Sequence, residues 1–205
     1  MRMMTATMLA VMTATGVQAE EGLYGGIGLS YGSVESFDNL FGITSEDEGA
    51  AFGMTLGYRS EKAQFFFGPE LDADIFLDDE LEFIGTPCAS VAFGPYYCTR
   101  SAVFRLRGVV GHTFANGYEL FGTAGYGVVI GQGATSSFTT DRGISGGLTA
   151  SLGVQRDLAS GSALRVEAIY DDFSDTLVRP DDGFGFSYEP QYEAKSVKVT
   201  YLKAF

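Results

Sequence analysis

The sequence predicts an all-β fold, an eight-stranded antiparallel up-and-down β-barrel that crosses a membrane. Three observations lead to this prediction. Apolar residues alternate with small or polar residues along eight segments, which is the period of a strand with two different faces. The chain of 205 residues contains 28 Gly, 17 Phe and 11 Tyr, and its hydrophobic content of 45% is typical of a β-barrel. The connections between the segments alternate in length.

The N-terminus has the features of a secretory signal peptide. A basic residue, Arg2, precedes an apolar stretch at 8–12, and small residues lead up to Ala19. We therefore expect cleavage after Ala19. An ordinary buried N-terminal helix is the alternative, but a strand-like pattern begins directly after this segment. The predicted organisation is a signal peptide at 1–19 and one β-barrel domain at 20–205.

The charge balance excludes two classes of partner. The chain carries 26 Asp and Glu against 13 Lys and Arg, a formal net charge of -13. Nucleic acids and anionic lipid headgroups both require a basic protein surface. After the predicted signal, no stretch reaches the ~18 consecutive apolar residues that a membrane helix requires. A membrane-spanning form of this chain must therefore cross as strands.

The eight predicted strands and their connections follow a regular plan. The strands lie near 23–31, 52–59, 64–77, 101–113, 119–130, 148–155, 164–171 and 196–205. Short connections are predicted near 60–63, 115–117 and 156–162, and long ones near 33–49, 78–100, 131–142 and 172–191. Short periplasmic turns and long outer loops are typical of barrels in the outer membrane of Gram-negative bacteria. We therefore expect that location.

The two faces of the predicted strands differ in chemistry. Leu, Val, Ile and Phe occupy one face, which we expect to meet lipid, with aromatic residues at both membrane boundaries. A soluble ligand-binding barrel would turn this face inward, and the faces alone do not decide between the two. The signal peptide, the connection lengths and the C-terminus favour the membrane barrel. The other face carries mixed charges at Glu70, Asp72, Asp74, Arg105, Arg107, Glu119, Arg165, Glu167 and Lys198.

This charged face predicts a filled interior. Eight strands enclose a space just wide enough for side chains, and buried charges persist when they are paired. Because carboxylates on the third strand face guanidinium groups on the fourth, we expect a salt-bridged plug. A narrow gated ion path is the alternative.

The sequence offers little sign of catalysis or of a cofactor. His112 is the single histidine, and no esterase or deacylase constellation is visible around it. We expect a histidine at the membrane interface, no enzymatic activity, no cofactor and no metal site. The acidic runs in the predicted outer loops are expected to be a solvated surface, with divalent cations shared with lipopolysaccharide phosphates as the alternative. These acids are Glu46, Asp47, Glu48, Asp78, Asp79, Glu80, Glu82, Asp175, Asp181 and Asp182.

Cys88 and Cys98 are the only cysteines, and both fall in the second predicted outer loop. Export would place them in an oxidising compartment, where a disulfide between them is expected. Metal binding by two cysteines without a nearby histidine is a weaker alternative.

The C-terminus resembles the recognition signal by which outer-membrane barrels reach the assembly machinery, at Val197, Val199, Tyr201 and Phe205. Lys203 departs from that signal, where an aromatic or apolar residue is usual. With the runs at 66–74 and 122–127, the chain from residue 20 to 205 resembles the small outer-membrane β-barrel family. That family includes the opacity-type surface proteins and barrels like the membrane domain of OmpA. The resemblance implies contact with outer-membrane lipid and lipopolysaccharide and handling by the barrel assembly machinery.

The resemblance implies a class of function and not an activity, since such barrels serve as envelope-stabilising proteins, adhesins, haem binders or weak porins. The leading hypothesis is a non-enzymatic structural or surface-interaction role, carried by the extracellular loops. A small porin with a narrow charged lumen is the alternative.

Overall fold

The computed structural model describes residues 21–38, 42–78, 80–91, 98–135, 138–158, 161–179 and 190–205. Eight long strands and two short ones make up almost all of it. In chain order they are β1 Gly22–Asp38, β2 Ile43–Lys62, β3 Phe65–Phe76, β4 Glu82–Phe83, β5 Thr86–Pro87, β6 Thr99–Thr113, β7 Tyr118–Thr135, β8 Phe138–Asp157, β9 Ser162–Val178 and β10 Pro190–Ala204.

The eight long strands close into an antiparallel up-and-down barrel. Each pairs with the next long strand along the chain, and β1 pairs with both β2 and β10, so the barrel has no free edge. The short strands β4 and β5 form a hairpin outside the barrel wall, which joins β2 through one pair, Glu46 and Glu82. The predicted fold class is confirmed.

The apolar face of the strands is the outside of the barrel. On β8, Leu148 and Leu152 are each 70% exposed, whereas Thr149 and Ser151, which lie between them in the sequence, are buried. A soluble ligand-binding barrel requires the opposite arrangement. In the part of the chain that the structure describes, no helix is long and apolar enough to cross a membrane.

The three short connections lie at one end of the barrel, where the predicted positions are confirmed. Residues 63–64 join β2 to β3, 114–117 join β6 to β7, and 158–161 join β8 to β9. Gly117 has φ of 76°, a left-handed backbone that a residue without a Cβ adopts without strain. The Asn116 side chain accepts a hydrogen bond from the backbone N–H of Tyr118 at 3.2 Å, which fixes the turn.

Two of the four predicted long connections are wrong. The loop expected at 33–49 is instead the outer half of a ladder between β1 and β2, and the loop expected at 131–142 is the outer end of a ladder between β7 and β8. Along 44–48 of β2 the residues on both strand faces are polar, so the alternation that marks a strand is lost while backbone pairing with β1 continues. The acids Glu46, Asp47 and Glu48 therefore lie on β2 and not in a loop. Asp175, from the loop expected at 172–191, lies on β9, which continues to Val178.

Inside the barrel, two apolar layers enclose most of the charged residues, and Glu119 lies on the periplasmic side of the lower layer, two residues nearer the turn than Phe121. The inward residues of β6 show the order, since Val103 and Val109 enclose Arg105 and Arg107. The periplasmic layer consists of Phe66, Val109 and Phe121, and the ring of Phe121 fits over Gly153, where a Cβ would lie 2.5 Å from the ring. The extracellular layer consists of Val34, Leu81, Val103, Val129, Phe173 and Tyr192.

Candidate functional site

The structure places all nine sequence-predicted lumen charges in the barrel interior. Each is at most 3% exposed. The structure also brings in residues that the sequence analysis did not select, chiefly Asp171 and Arg59. Asp171 follows the same period of two as Arg165 and Glu167, and Arg59 follows Gly53 and Gly57 on the inward face of β2. Both lie on the polar face of the predicted strands 52–59 and 164–171, and that position was the signal for including them.

Arg105 is the centre of the upper part of this network. Its Nη1 donates to Asp72 Oδ1 at 2.9 Å and to Asp74 Oδ2 at 2.6 Å. Its Nε and Nη2 form a fork on the Asp171 carboxylate, at 2.9 and 2.6 Å. One guanidinium thus joins β3 to β9 across the lumen, and charge-assisted forked pairs of this type are the strong ones.

Lys198 completes the upper part from the opposite wall. Its Nζ donates to Asp72 Oδ2 at 2.6 Å and to Asp74 Oδ1 at 2.7 Å, and the side chain is fully buried. Gly53 makes this position possible, because a Cβ at residue 53 would lie 2.5 Å from the Lys198 Nζ. The two aspartates therefore hold an ammonium and a guanidinium at once.

Glu70 is the centre of the middle part. Its carboxylate accepts from Arg107 Nη2 at 2.6 Å, from Arg165 Nη1 and from the Tyr24 hydroxyl at 2.7 Å. Arg107 also contacts Glu167 Oε2 at 3.2 Å and lies 3.7 Å from Asp72 Oδ2, which links the middle part to the upper one.

Glu119 forms the periplasmic part. Arg59 donates to it from two nitrogens, at 2.6 and 2.9 Å, and Gln155 donates from Nε2 at 2.9 Å. The carbonyl oxygen of the Gln155 side chain accepts from Arg165 Nε at 3.0 Å, which connects this part to the middle one. The polar contacts therefore run without a break from Arg59 near the periplasmic mouth to Asp171.

This chain of contacts fills the lumen with paired charge. Every one of the eight barrel strands contributes at least one member: Tyr24, Arg59, Glu70, Arg105, Glu119, Gln155, Arg165 and Lys198. Above it, between Arg105 and Arg100, the structure leaves an enclosed space of about 20 Å³, close to the volume of a single water. The arrangement is that of a plug.

The extracellular mouth is capped by the segment 80–91, which we call the mouth segment. Its Leu81 is 1% exposed and belongs to the upper apolar layer. The Leu81 N–H donates to the Cys98 carbonyl at 2.6 Å, and the Leu81 carbonyl accepts from the Cys88 N–H at 2.9 Å. Cys88 and Cys98 form the predicted disulfide, with their Cα atoms 5.2 Å apart. The sequence analysis missed Leu81, because a single leucine among acids carries no periodic signal.

Removing the disulfide tests how firmly it holds the mouth segment. In the double variant Cys88→Ser and Cys98→Ser, we expect amide hydrogen exchange within 80–91 to accelerate by about 30-fold or more, because a short covalent loop is released. Exchange in β7 and β8 should stay unchanged. Mass-spectrometric exchange in detergent micelles measures both. Equal exchange in the two proteins would show that Leu81 holds the segment without the disulfide.

His112 lies on the outer wall and not in a catalytic arrangement. Its ring contacts Phe65 and Phe114, with centroids 5.0 and 4.8 Å away. Its Nδ1 is buried and has no hydrogen-bond partner among the described residues. The same part of the chain holds no group of three or more side chains arranged to bind a metal ion.

The residues of the C-terminal signal also lie on the outer wall. Val197, Val199 and Tyr201 are 53%, 44% and 48% exposed along β10, and Phe205 is 69% exposed at its end. Their role in assembly remains a prediction. The signal peptide predicted at 1–19 lies outside the described residues.

The fold and the filled lumen define a class, the small outer-membrane β-barrel. The chain matches the family model described as outer membrane protein beta-barrel domain over residues 4–200, and it belongs to that family. No curated protein sequence matches it.

Solved structures of similar architecture come from bacteria. OprG, an outer membrane protein from Pseudomonas aeruginosa, is 13% identical with a TM-score of 0.53, over 94% of this chain and 99% of that one. Neisserial surface protein A is 11% identical with a TM-score of 0.51, over 90% and 97%. At these identities the likeness shows the fold alone.

Proposed function

We propose that this chain is a non-enzymatic outer-membrane protein whose sealed barrel supports extracellular segments that contact other molecules, in a structural or surface-interaction role. The observation that carries the proposal is the filled lumen. The charged groups of the network are paired with one another, which leaves them unavailable to a solute. Above them, the buried guanidinium of Arg100 lies over the Phe76 ring, and its Nε and Nη2 make no hydrogen bond within the described part of the chain. The residues available for contact are those on the extracellular side.

The same proposal includes the contact with the membrane, the export of the chain and its assembly. The exposed Leu, Val and Ile face meets outer-membrane lipid, and the aromatic residues at its edges lie at the level of the headgroups and of lipopolysaccharide. The chain is exported by a cleaved signal peptide, and the assembly machinery recognises Val197, Val199, Tyr201 and Phe205. These four side chains are exposed on the outer wall of the barrel, which supports recognition by a partner.

Conductance measurement separates this proposal from the small porin. Purified protein in planar bilayers is expected to pass no ion current at physiological voltage, because the paired charges leave no continuous water path. Folding is verified first by the change in gel migration on boiling. A steady conductance that changes in Asp72→Asn would establish the porin and contradict the proposal.

Attachment of bacteria to cells tests the surface-interaction role of the chain. Bacteria that display the full chain are compared with bacteria that display a barrel whose connections 39–42, 80–97 and 180–189 are shortened, on a monolayer of cultured epithelial cells. The full chain is expected to attach more. Equal attachment, together with increased envelope permeability in the shortened variant, would leave the structural role alone.

A further inference from the structure

The hairpin of β4 and β5 ends in a water-exposed isoleucine. Ile84 is 83% exposed, the highest value among the large apolar side chains that the structure describes. Leucines such as Leu148 are exposed to lipid, but Ile84 lies beyond the membrane. The pair of Tyr31 and Ala50 marks the upper aromatic boundary of the membrane. The hairpin pairs with β2 at Glu46, which is four residues further from the membrane than Ala50. Nothing in the described structure covers this side chain.

The geometry of the turn does not explain an isoleucine. Phe83 pairs with Thr86, so Ile84 and Gly85 form a two-residue turn, with φ of 50° and 68°. Turns with two left-handed residues favour Asn-Gly or Asp-Gly, and a β-branched residue with positive φ is a genuine outlier. Asparagine in place of Ile84 would suit the turn better and would remove an apolar surface from water. Residues that break local rules in this way concentrate at functional sites.

The hairpin is held firmly behind its tip. Leu81 is inserted in the upper apolar layer, its two backbone groups bond to Cys98 and Cys88, and the disulfide joins those cysteines. The Cys98 N–H in turn donates to the Gln132 carbonyl on β7 at 3.1 Å. A fixed tip loses little conformational entropy on binding, which favours its use as a contact point.

The surroundings of the tip are acidic. Glu82 lies directly opposite Glu46, which lies opposite Glu35, which lies opposite Glu193, so four carboxylates follow one another across neighbouring strands. The last of them, Glu193, forms an ion pair with Lys195 at 2.8 Å, so Glu82, Glu46 and Glu35 supply the excess negative charge. Like charges in direct opposition destabilise a sheet. The electrostatic complement of this surface is basic.

We propose that Ile84 is the apolar anchor of a contact with another protein, whose pocket is apolar and edged by lysine or arginine side chains. The inference rests on the surface-interaction role and names the segment and the chemistry of that contact. The exposed tip supplies the apolar part of the contact. The acidic strands beside it supply orientation and a faster encounter with a basic surface.

The variant Ile84→Asn tests the anchor, because it improves the turn while it removes the apolar side chain. Its matched control is Phe37→Asn, which replaces a 41% exposed apolar residue on a different extracellular hairpin. On the epithelial monolayer, attachment of bacteria displaying Ile84→Asn is expected to fall about tenfold, and Phe37→Asn to attach like the unaltered protein. Both variants should keep the gel shift on boiling. Glu82→Lys should also attach less.

The outcomes separate the two proposals. If the unaltered chain attaches no better than the shortened barrel, the surface-interaction role fails and the anchor fails with it. If the unaltered chain attaches and Ile84→Asn attaches equally, the anchor alone is overturned. Attachment that survives removal of monolayer surface proteins with trypsin would identify a lipid or glycan partner and overturn the protein partner. Clumping of the bacteria with one another that depends on Ile84 would identify a second copy of the chain as the partner. That result would also overturn the proposed contact with a different protein.

Discussion

Replacing Arg105 with methionine is expected to lower the free energy of unfolding by about 3–5 kcal/mol, because removal of one partner leaves buried charges uncompensated. Three carboxylates, those of Asp72, Asp74 and Asp171, lose their shared guanidinium. Lys198 remains beside the first two, so Asp171 is the group left without an ionic partner. Urea unfolding in detergent or lipid vesicles, followed by the gel shift, measures the change.

The matched control is Arg156→Met. Arg156 is an exposed arginine on β8 that lies over the Tyr118 ring, and its Nη1 donates to the Tyr118 hydroxyl at 3.2 Å. Its replacement should change stability by less than about 0.5 kcal/mol. Adding Asp171→Leu to Arg105→Met should recover part of the loss, because the uncompensated carboxylate is then absent. A loss in Arg156→Met equal to that in Arg105→Met would show that the network contributes no more than surface charge.

Replacing Gly68 with alanine is expected to cost more than about 3 kcal/mol, at or beyond the upper end of overpacking effects, because backbone must move. A Cβ at residue 68 would overlap the carbonyl oxygen of Tyr58 on β2. This is the place where β2 and β3 interrupt their pairing, between the pairs Gly57 with Glu70 and Ser60 with Phe67. Loss of the fast-migrating unboiled form on a gel, or a large fall in the urea midpoint, is the expected result.

Gly108→Ala is the control for Gly68→Ala. Gly108 lies on the outer wall, and the nearest heavy atom to an added Cβ would be the Ala124 carbonyl oxygen at 3.9 Å. Stability should therefore be unchanged or slightly raised, since alanine restricts the unfolded chain more than glycine does. If the two variants behave alike, the close approach of Tyr58 to Gly68 does not limit the fold.

The sequence predicted the barrel well wherever lipid forces a contrast between the two faces. Leu148, Thr149, Ala150 and Ser151 alternate because one side meets hydrocarbon and the other the lumen, and that contrast is visible in a single sequence. Beyond the membrane this contrast is reversed or lost. Ser33 and Glu35 are exposed on the outer face of β1 while Val34 between them is buried, so here the polar residues face outward and the apolar residue inward.

The sequence predicted which residues belong to the interior network but not which of them contact one another. That Asp72 and Arg105 point inward follows from the period of two on β3 and β6. That Lys198 reaches the same aspartates follows from closure of the barrel, which brings residues 126 positions apart within 2.6 Å. Long-range register of this kind depends on strand tilt and stagger, which one sequence does not reveal.

The membership of all eight strands in one network of ion pairs and hydrogen bonds has a consequence for how the barrel forms. Lys198 lies on β10, the last strand, and its partners Asp72 and Asp74 lie on β3. Arg105 on β6 bonds to Asp171 on β9. Arg105 can meet Asp72 and Asp74 on the neighbouring strand β3 before closure, but until β10 joins β1 the charges of Lys198 and Asp171 lie apart from these partners and favour water. A half-built barrel therefore gains little from the network and resists entry into hydrocarbon, so that completion of the ring and burial of its charges are one cooperative event.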